Sequence, residues 1–235
     1  VDTILGTSAA DVIDGTVAAT GGTLTSLDSI DGAAGTDTLN INHIDGAFPS
    51  GLNITNVENA VYRSATNATV DSTTWSGLTS LSVTQATDVD VTAASTTAVT
   101  VSGSTGVLVD VDGGSDVTVT ASNAQDVNIG ATTRSSGAVS VTHTKQADGN
   151  IAVDGGTDVT VAASGVTTGE VRIGQGGAAA DQPSGDVAVT STGAAYVATT
   201  GAITLGDILV TGGDTVTVTQ SATSSSAGAA TESAP

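Results

Sequence analysis

The sequence predicts an all-β chain wound into an elongated β-solenoid (a β-helix) of short stacked strands, behind an Asp/Gly-rich N-terminal segment. Three observations predict it. Pairs of apolar, mostly β-branched residues, one residue apart, recur from position 81 almost to the end. One block of sequence returns further along the chain. The apolar residues are small, since aromatics make up 2% of the chain and Met is absent, so they suit a thin core better than a wide one.

The alternation begins with Leu81-Ser82-Val83, Val89-Asp90-Val91, Val99-Thr100-Val101 and Val109-Asp110-Val111. It continues through units starting at Val117, Val127, Val139, Ile151, Val159 and Val171, and ends with those at Val187, Ile203 and Val216. Period-two alternation marks strands with one face inward. Two inward residues bury too little for face-to-face sheets, but suffice when rungs stack on one another.

The returning block sets the register. Asp112-Gly113-Gly114-Ser115-Asp116-Val117-Thr118-Val119 recurs as Asp154-Gly155-Gly156-Thr157-Asp158-Val159-Thr160-Val161. Rungs of about twenty residues with two strands each make this a two-rung offset. One face then carries the strands from Val89, Val109, Val127, Ile151 and Val171, and the other those from Val99, Val117, Val139, Val159 and Val187. In this register acid and neutral residues alternate before most strands, as in Asp88, Leu108, Asp126, Asn150 and Ala98, Asp116, Ala138, Asp158. Neighbouring rungs lie ~4.8 Å apart, where two carboxylates repel by roughly 3 kcal/mol at an effective dielectric of about 20. Skipping a rung relieves that repulsion, so these acids are expected to cap turns rather than bind metal.

Composition divides the chain. Residues 1–45 are read as a calcium-binding segment, rich in Asp and Gly. Residues 46–85 hold Phe48 and Trp75 and are read as strands closing the solenoid, with Trp75, Leu78 and Leu81 covering its end. Residues 86–220 form the solenoid. Residues 221–235, Ser/Ala/Thr-rich without alternation, are read as a linker or disordered tail.

The formal charge is −20, from 24 acids against 4 bases, which argues against nucleic acid and anionic membranes as partners. No apolar run is long enough for membrane insertion, and the absence of Cys excludes disulfides and thiol chemistry. With neither an initiator Met nor a signal peptide, the chain is read as an internal fragment or a processed product. His43 and His143 stand far apart and are expected on the surface. Paired carboxylates can cleave sugars on a β-helix, but the aromatic platforms such sites usually add are missing. No enzyme is expected.

The strongest motif is Gly32-Ala33-Ala34-Gly35-Thr36-Asp37-Thr38-Leu39-Asn40. It follows the calcium-binding nonapeptide G-G-x-G-x-D-x-U-x, with Ala33 in place of one Gly. A weaker copy runs from Gly6 to Asp14, with Ala9 at a Gly position and Asp11 at the acid position. Glycines let turn carbonyls point at one centre, Asp adds charge, and Ca²⁺ accepts six to eight oxygens. Asp28 and Asp31 lie between the copies, so the candidate metal ligands are Asp11, Asp14, Asp28, Asp31 and Asp37. Asp–Gly turns without metal are the competing reading.

The order of Ile4-Leu5-Gly6-Thr7, the Asp28–Asn40 block, Ile54-Thr55-Asn56-Val57-Glu58 and Trp75-Ser76-Gly77-Leu78 resembles the RTX-type S-layer proteins of Gram-negative bacteria, the Caulobacter-type surface-layer family. The likeness spans residues 1 to about 190. It implies type I secretion, a β-solenoid body at the cell surface and calcium-dependent self-assembly into a lattice. It implies calcium at Asp11 and Asp37 in turns shaped by Gly32 and Gly35, and a lipopolysaccharide-anchoring domain outside this chain. An RTX-like adhesin or biofilm-matrix segment is the alternative.

Overall fold

The computed structural model describes all residues except 124–125, 145, 147, 195–201, 223–230 and 234–235. The expected tail at 221–235 therefore lies largely outside the described residues.

The chain is a parallel β-solenoid. A short sheet holds β1 (Thr3–Leu5), β3 (Ser29–Asp31) and β5 (Asn53–Thr55). A long sheet of ten strands stacks β2 (Val12–Val17), β4 (Thr38–His43), β6 (Asn59–Ser64), β8 (Ser80–Thr84) and β10 (Ala98–Ser102). It goes on through β12 (Val117–Ser122), β14 (Val139–Thr144), β16 (Val159–Val166), β18 (Val187–Gly193) and β21 (Val216–Ser221). A sheet of seven strands contains β7 (Ala68–Asp71), β9 (Val89–Ala93), β11 (Leu108–Gly113), β13 (Asp126–Ile129), β15 (Ile151–Val153), β17 (Val171–Ile173) and β20 (Ile208–Val210). β19 (Ala202–Thr204) pairs with β22 (Thr231–Ser233).

The register is the one that the repeat predicts. Val99 pairs with Val117, and the column continues through Val139, Val159 and Val187. Val89, Val109, Val127, Ile151 and Val171 form the other column. All of these side chains are buried, and each contributes roughly 1.5–3 kcal/mol by leaving water. The long interval between Val159 and Val187 leaves the column in register, because the extra residues form a surface loop with a 3₁₀ turn at Ala179–Asp181. The buried Asp181 fastens that loop. It accepts from Ala178 N (2.6 Å) and Arg134 Nε (2.6 Å), and pairs with the Arg134 guanidinium. The bond from Ala178 and the charge of Arg134 outweigh burial and hold its carboxyl below the usual range.

Two expectations are corrected. His43 and His143 are both buried, 3% and 0% exposed. Each takes the third inward position of a long-sheet strand, as in Val139, Val141, His143. His43 Nδ1 accepts from Tyr62 Oη (2.7 Å), and Nε2 donates to Gly46 O (3.1 Å). Trp75, Leu78 and Leu81 lie inside the stack, because the long sheet continues past them through β6, β4 and β2.

The acids cap turns, and they do so between rungs. Asp116 Oδ1 accepts from Ala138 N (2.8 Å), Asp126 Oδ1 from Asn150 N (2.7 Å) and Asp158 Oδ1 from Asp186 N (2.8 Å). Asp88 and Asp112 each take two such N–H groups, at 2.6–3.1 Å. The Asp88, Asp116 and Asp158 carboxylates fill the space that a Cβ would need at Gly106, Gly137 and Gly185 of the next rung. Sterics and hydrogen bonding thus explain the acids and the glycines beside them, and the successive acids Asp158 and Asp186 show that repulsion does not forbid neighbours.

On the outer face of the seven-stranded sheet, Asp110 stacks on Asp90. Burial, with the charges of Asp112 and Asp90, pushes its carboxyl up. Ionisation there opposes folding above the ordinary Asp pKa, and the penalty vanishes once both states are protonated. Asp110→Asn should therefore raise the melting temperature at pH 7 and lose that advantage below about pH 4; melts at both pH values check this. Gly137→Ala should cost about 1–3 kcal/mol by overpacking, and less in an Asp116→Ala background, as a double-mutant cycle in denaturant would read.

Candidate metal centre

The corner that leads from the short sheet into the long one stacks three turns, residues 6–11, 32–37 and 56–58. β2, β4 and β6 pair in register, so the acids before them, Asp11, Asp37 and Glu58, fall in one column. Each reaches back towards the start of the chain. Glu58 Oε2 accepts from Asp37 N (2.7 Å), and Asp37 Oδ1 accepts from Asp11 N (2.8 Å). Asp11 Oδ2 turns to its own rung and accepts from Thr7 N (2.6 Å) and the Thr7 hydroxyl (3.0 Å).

One oxygen is left over. Asp37 is fully buried, and its Oδ2 has no hydrogen-bond donor. It lies 2.6 Å from where a Cβ on Gly32 would sit, and the main-chain oxygen of Asn56 crowds the same spot. Gly6 repeats the arrangement: a Cβ there would strike Gly32 O and come within 2.9 Å of Asp11 Oδ2. At both glycines a carboxylate oxygen and a carbonyl oxygen converge on a bare Cα. Gly35, at φ +141°, lets the turn pass Ala9 O, 2.6 Å from where its Cβ would be.

The charge at this corner is unbalanced. Residues 1–58 contain eight acids and no Lys or Arg. Carboxylates in adjacent rungs stand ~4.8 Å apart, so main-chain N–H groups or a bound cation must offset the repulsion. Among the described residues, no three His, Cys, Asp or Glu side chains converge as a metal cage. The donor set is one or two carboxylates with main-chain carbonyls, all oxygen, which suits a hard cation such as Ca²⁺.

The other candidates are placed as follows. Asp31 opens the 32–37 turn at the same corner. Its Oδ1 accepts from Asn56 Nδ2 (2.8 Å) and Ala33 N (2.9 Å), bonds that hold its carboxyl below the usual range. Asp28 lies at the other end of β3, buried. Burial raises its pKa, but bonds from Asp2 N (2.7 Å), Thr25 N (2.7 Å) and the Thr25 hydroxyl outweigh burial and lower it. Asp14 points outward from β2 and accepts from Asn40 Nδ2 (2.9 Å). Asp11, Asp31 and Asp37 are thus gathered at one corner, with Asp28 and Asp14 apart. Sequence reasoning missed Glu58 as a site residue; its signal was its place directly before a strand, as with Asp11 and Asp37.

Ala33 holds φ +69° where the nonapeptide has Gly. A left-handed Ala costs roughly 1–2 kcal/mol, so Ala33→Gly should stabilise the fold by up to about 1 kcal/mol after the added chain entropy, as read by denaturant midpoints.

No protein-family model matches the chain and no curated protein does.

Proposed function

We propose that the chain is a structural, non-enzymatic segment of a secreted, calcium-dependent bacterial surface layer, whose copies associate into a lattice. The observation that carries the reading is Asp37 Oδ2, a buried carboxylate oxygen without a donor, beside main-chain oxygens in a glycine turn. A hard divalent cation supplies the missing positive charge there and accepts both carboxylate and carbonyl oxygens. Asp37 and Asp11 would hold it with the main-chain oxygens of Gly32 and Asn56. Glu58 and Asp31 would brace the turns through their bonds to Asp37 N and Ala33 N.

The body suits a scaffold. Its long sheet runs from Val12 to Ser221 in parallel register and stands on a narrow core of Val and Ile. The resemblance to Caulobacter-type surface-layer proteins supports a location outside the cell, with lipopolysaccharide anchoring left to a domain beyond this chain. Both histidines are packed into the core, which supports a role without catalysis.

Calcium at a hundred times its dissociation constant should stabilise the fold by about 2.7 kcal/mol. Asp37→Asn should abolish that gain, read as the difference between melts in CaCl₂ and in chelator. Electron microscopy of the purified chain with Ca²⁺ should show ordered arrays that disperse on chelation. Arrays indifferent to chelator would remove calcium from the proposal, and single particles in both conditions would remove the lattice.

A further inference from the structure

The outer face of the long sheet carries a groove of about 640 Å³, lined by Asn40, Asn42, Val61, Arg63, Ala65 and Gln85. That volume is within the usual range of small-ligand sites. Arg63 is the only Lys or Arg in residues 1–133. Of the described arginines, Arg134 pairs with Asp181 and Arg172 with Glu170. Arg63 has neither an ion pair nor a hydrogen bond to another described residue.

Register explains the setting. Asn42, Arg63 and Thr84 are neighbours in successive rungs, and Asn40, Val61 and Ser82 form the parallel row. The face continues as Thr100, Ser102, Thr118 and Thr120, all uncharged. The acids Asp71, Asp88, Asp90, Asp110 and Asp112 belong to the seven-stranded sheet and its corners. The acid nearest along the row, Asp14, is engaged by the Asn40 amide. The side chains of Asn42 and Gln85 make no bond to the described protein. Gln85 holds φ +60°, the left-handed turn that also follows the next two strands of the long sheet, at Gly103 and Asn123, and that turn sets its side chain at the groove.

We propose that this groove binds an acidic saccharide, one sugar carboxylate lying against the Arg63 guanidinium. Arginine presents a planar fork that matches a carboxylate in two bonds. The amides of Asn42 and Gln85 both donate and accept, as ring hydroxyls require. Val61 and Ala65 supply a small apolar floor for the C–H face of a sugar. The inference stands apart from the calcium corner and does not depend on the lattice.

The test is a calorimetric titration of the whole chain with a galacturonate trisaccharide, its neutral galactose counterpart and inorganic phosphate. The expected result is saturable binding of the galacturonate alone. Arg63→Gln should weaken it about tenfold or more, the loss of a charge-assisted pair, with an unchanged melting midpoint because Arg63 is exposed. Gln85→Ala should weaken it less. No saturable binding, equal affinity in Arg63→Gln, or phosphate binding as tightly as the trisaccharide would each overturn the proposal. So would self-association that Arg63→Gln abolishes in a chain that binds no saccharide, since the groove would then belong to a second copy.

Discussion

An acid at a corner of one rung accepting a main-chain N–H from the adjacent rung is the interaction on which the rest of this structure depends. Parallel ladders satisfy the strands, but the turns between them leave N–H groups without a strand partner, and the acids take them up. A charge-assisted bond to such a group contributes about 1.5–3 kcal/mol. Asp suits the task because its short side chain spans one rung spacing without leaving the corner. The predominance of Asp over Glu and the glycines at 106, 137 and 185 follow from this device, which also accounts for part of the net charge of −20.

Much of the fold was legible in the sequence. The Val pairs and the Asp-Gly-Gly repeat were enough for two strands per rung and for which valines share a column, because a parallel stack converts a repeat directly into a register. The third inward position of the long sheet was hidden. It is filled by Ala121, His143, Ala163 and Ser191, small or polar residues that break the pattern of Val and Ile pairs. Reading His143 two places beyond Val141 as the next inward residue would have found it. The N-terminal rungs were harder, because residues 18–28 and 44–52 are long turns that break the spacing. Trp75 looked like an end cap only while those rungs were invisible.

The candidate metal corner was legible in part. Motif spacing located the turns and two of their acids, since the nonapeptide repeats once per rung. It gave no way to separate Asp31 and Asp37, which bracket one turn, from Asp28, whose oxygens are taken by Thr25 and Asp2. That distinction rests on which side chain finds donors, a matter of three-dimensional neighbours. The orphan oxygen of Asp37 likewise has no signature in sequence.

The acids also have a direction. Asp28, Asp37, Asp45 and Glu58 reach back to the preceding rung, at Asp2, Asp11, Ala19 and Asp37 N. From Asp88 onward, through Asp116, Asp158 and Asp186, they reach forward. The two polarities diverge from the rungs between residues 59 and 87, where the bulky Tyr62 and Trp75 are packed. Assembly spreading outward from that waist would ask the acid-bearing corners of each arriving coil only for amide hydrogens, since the carboxylates already stand on the rung below. The chain is thus two templates joined back to back, each propagating towards its own terminus.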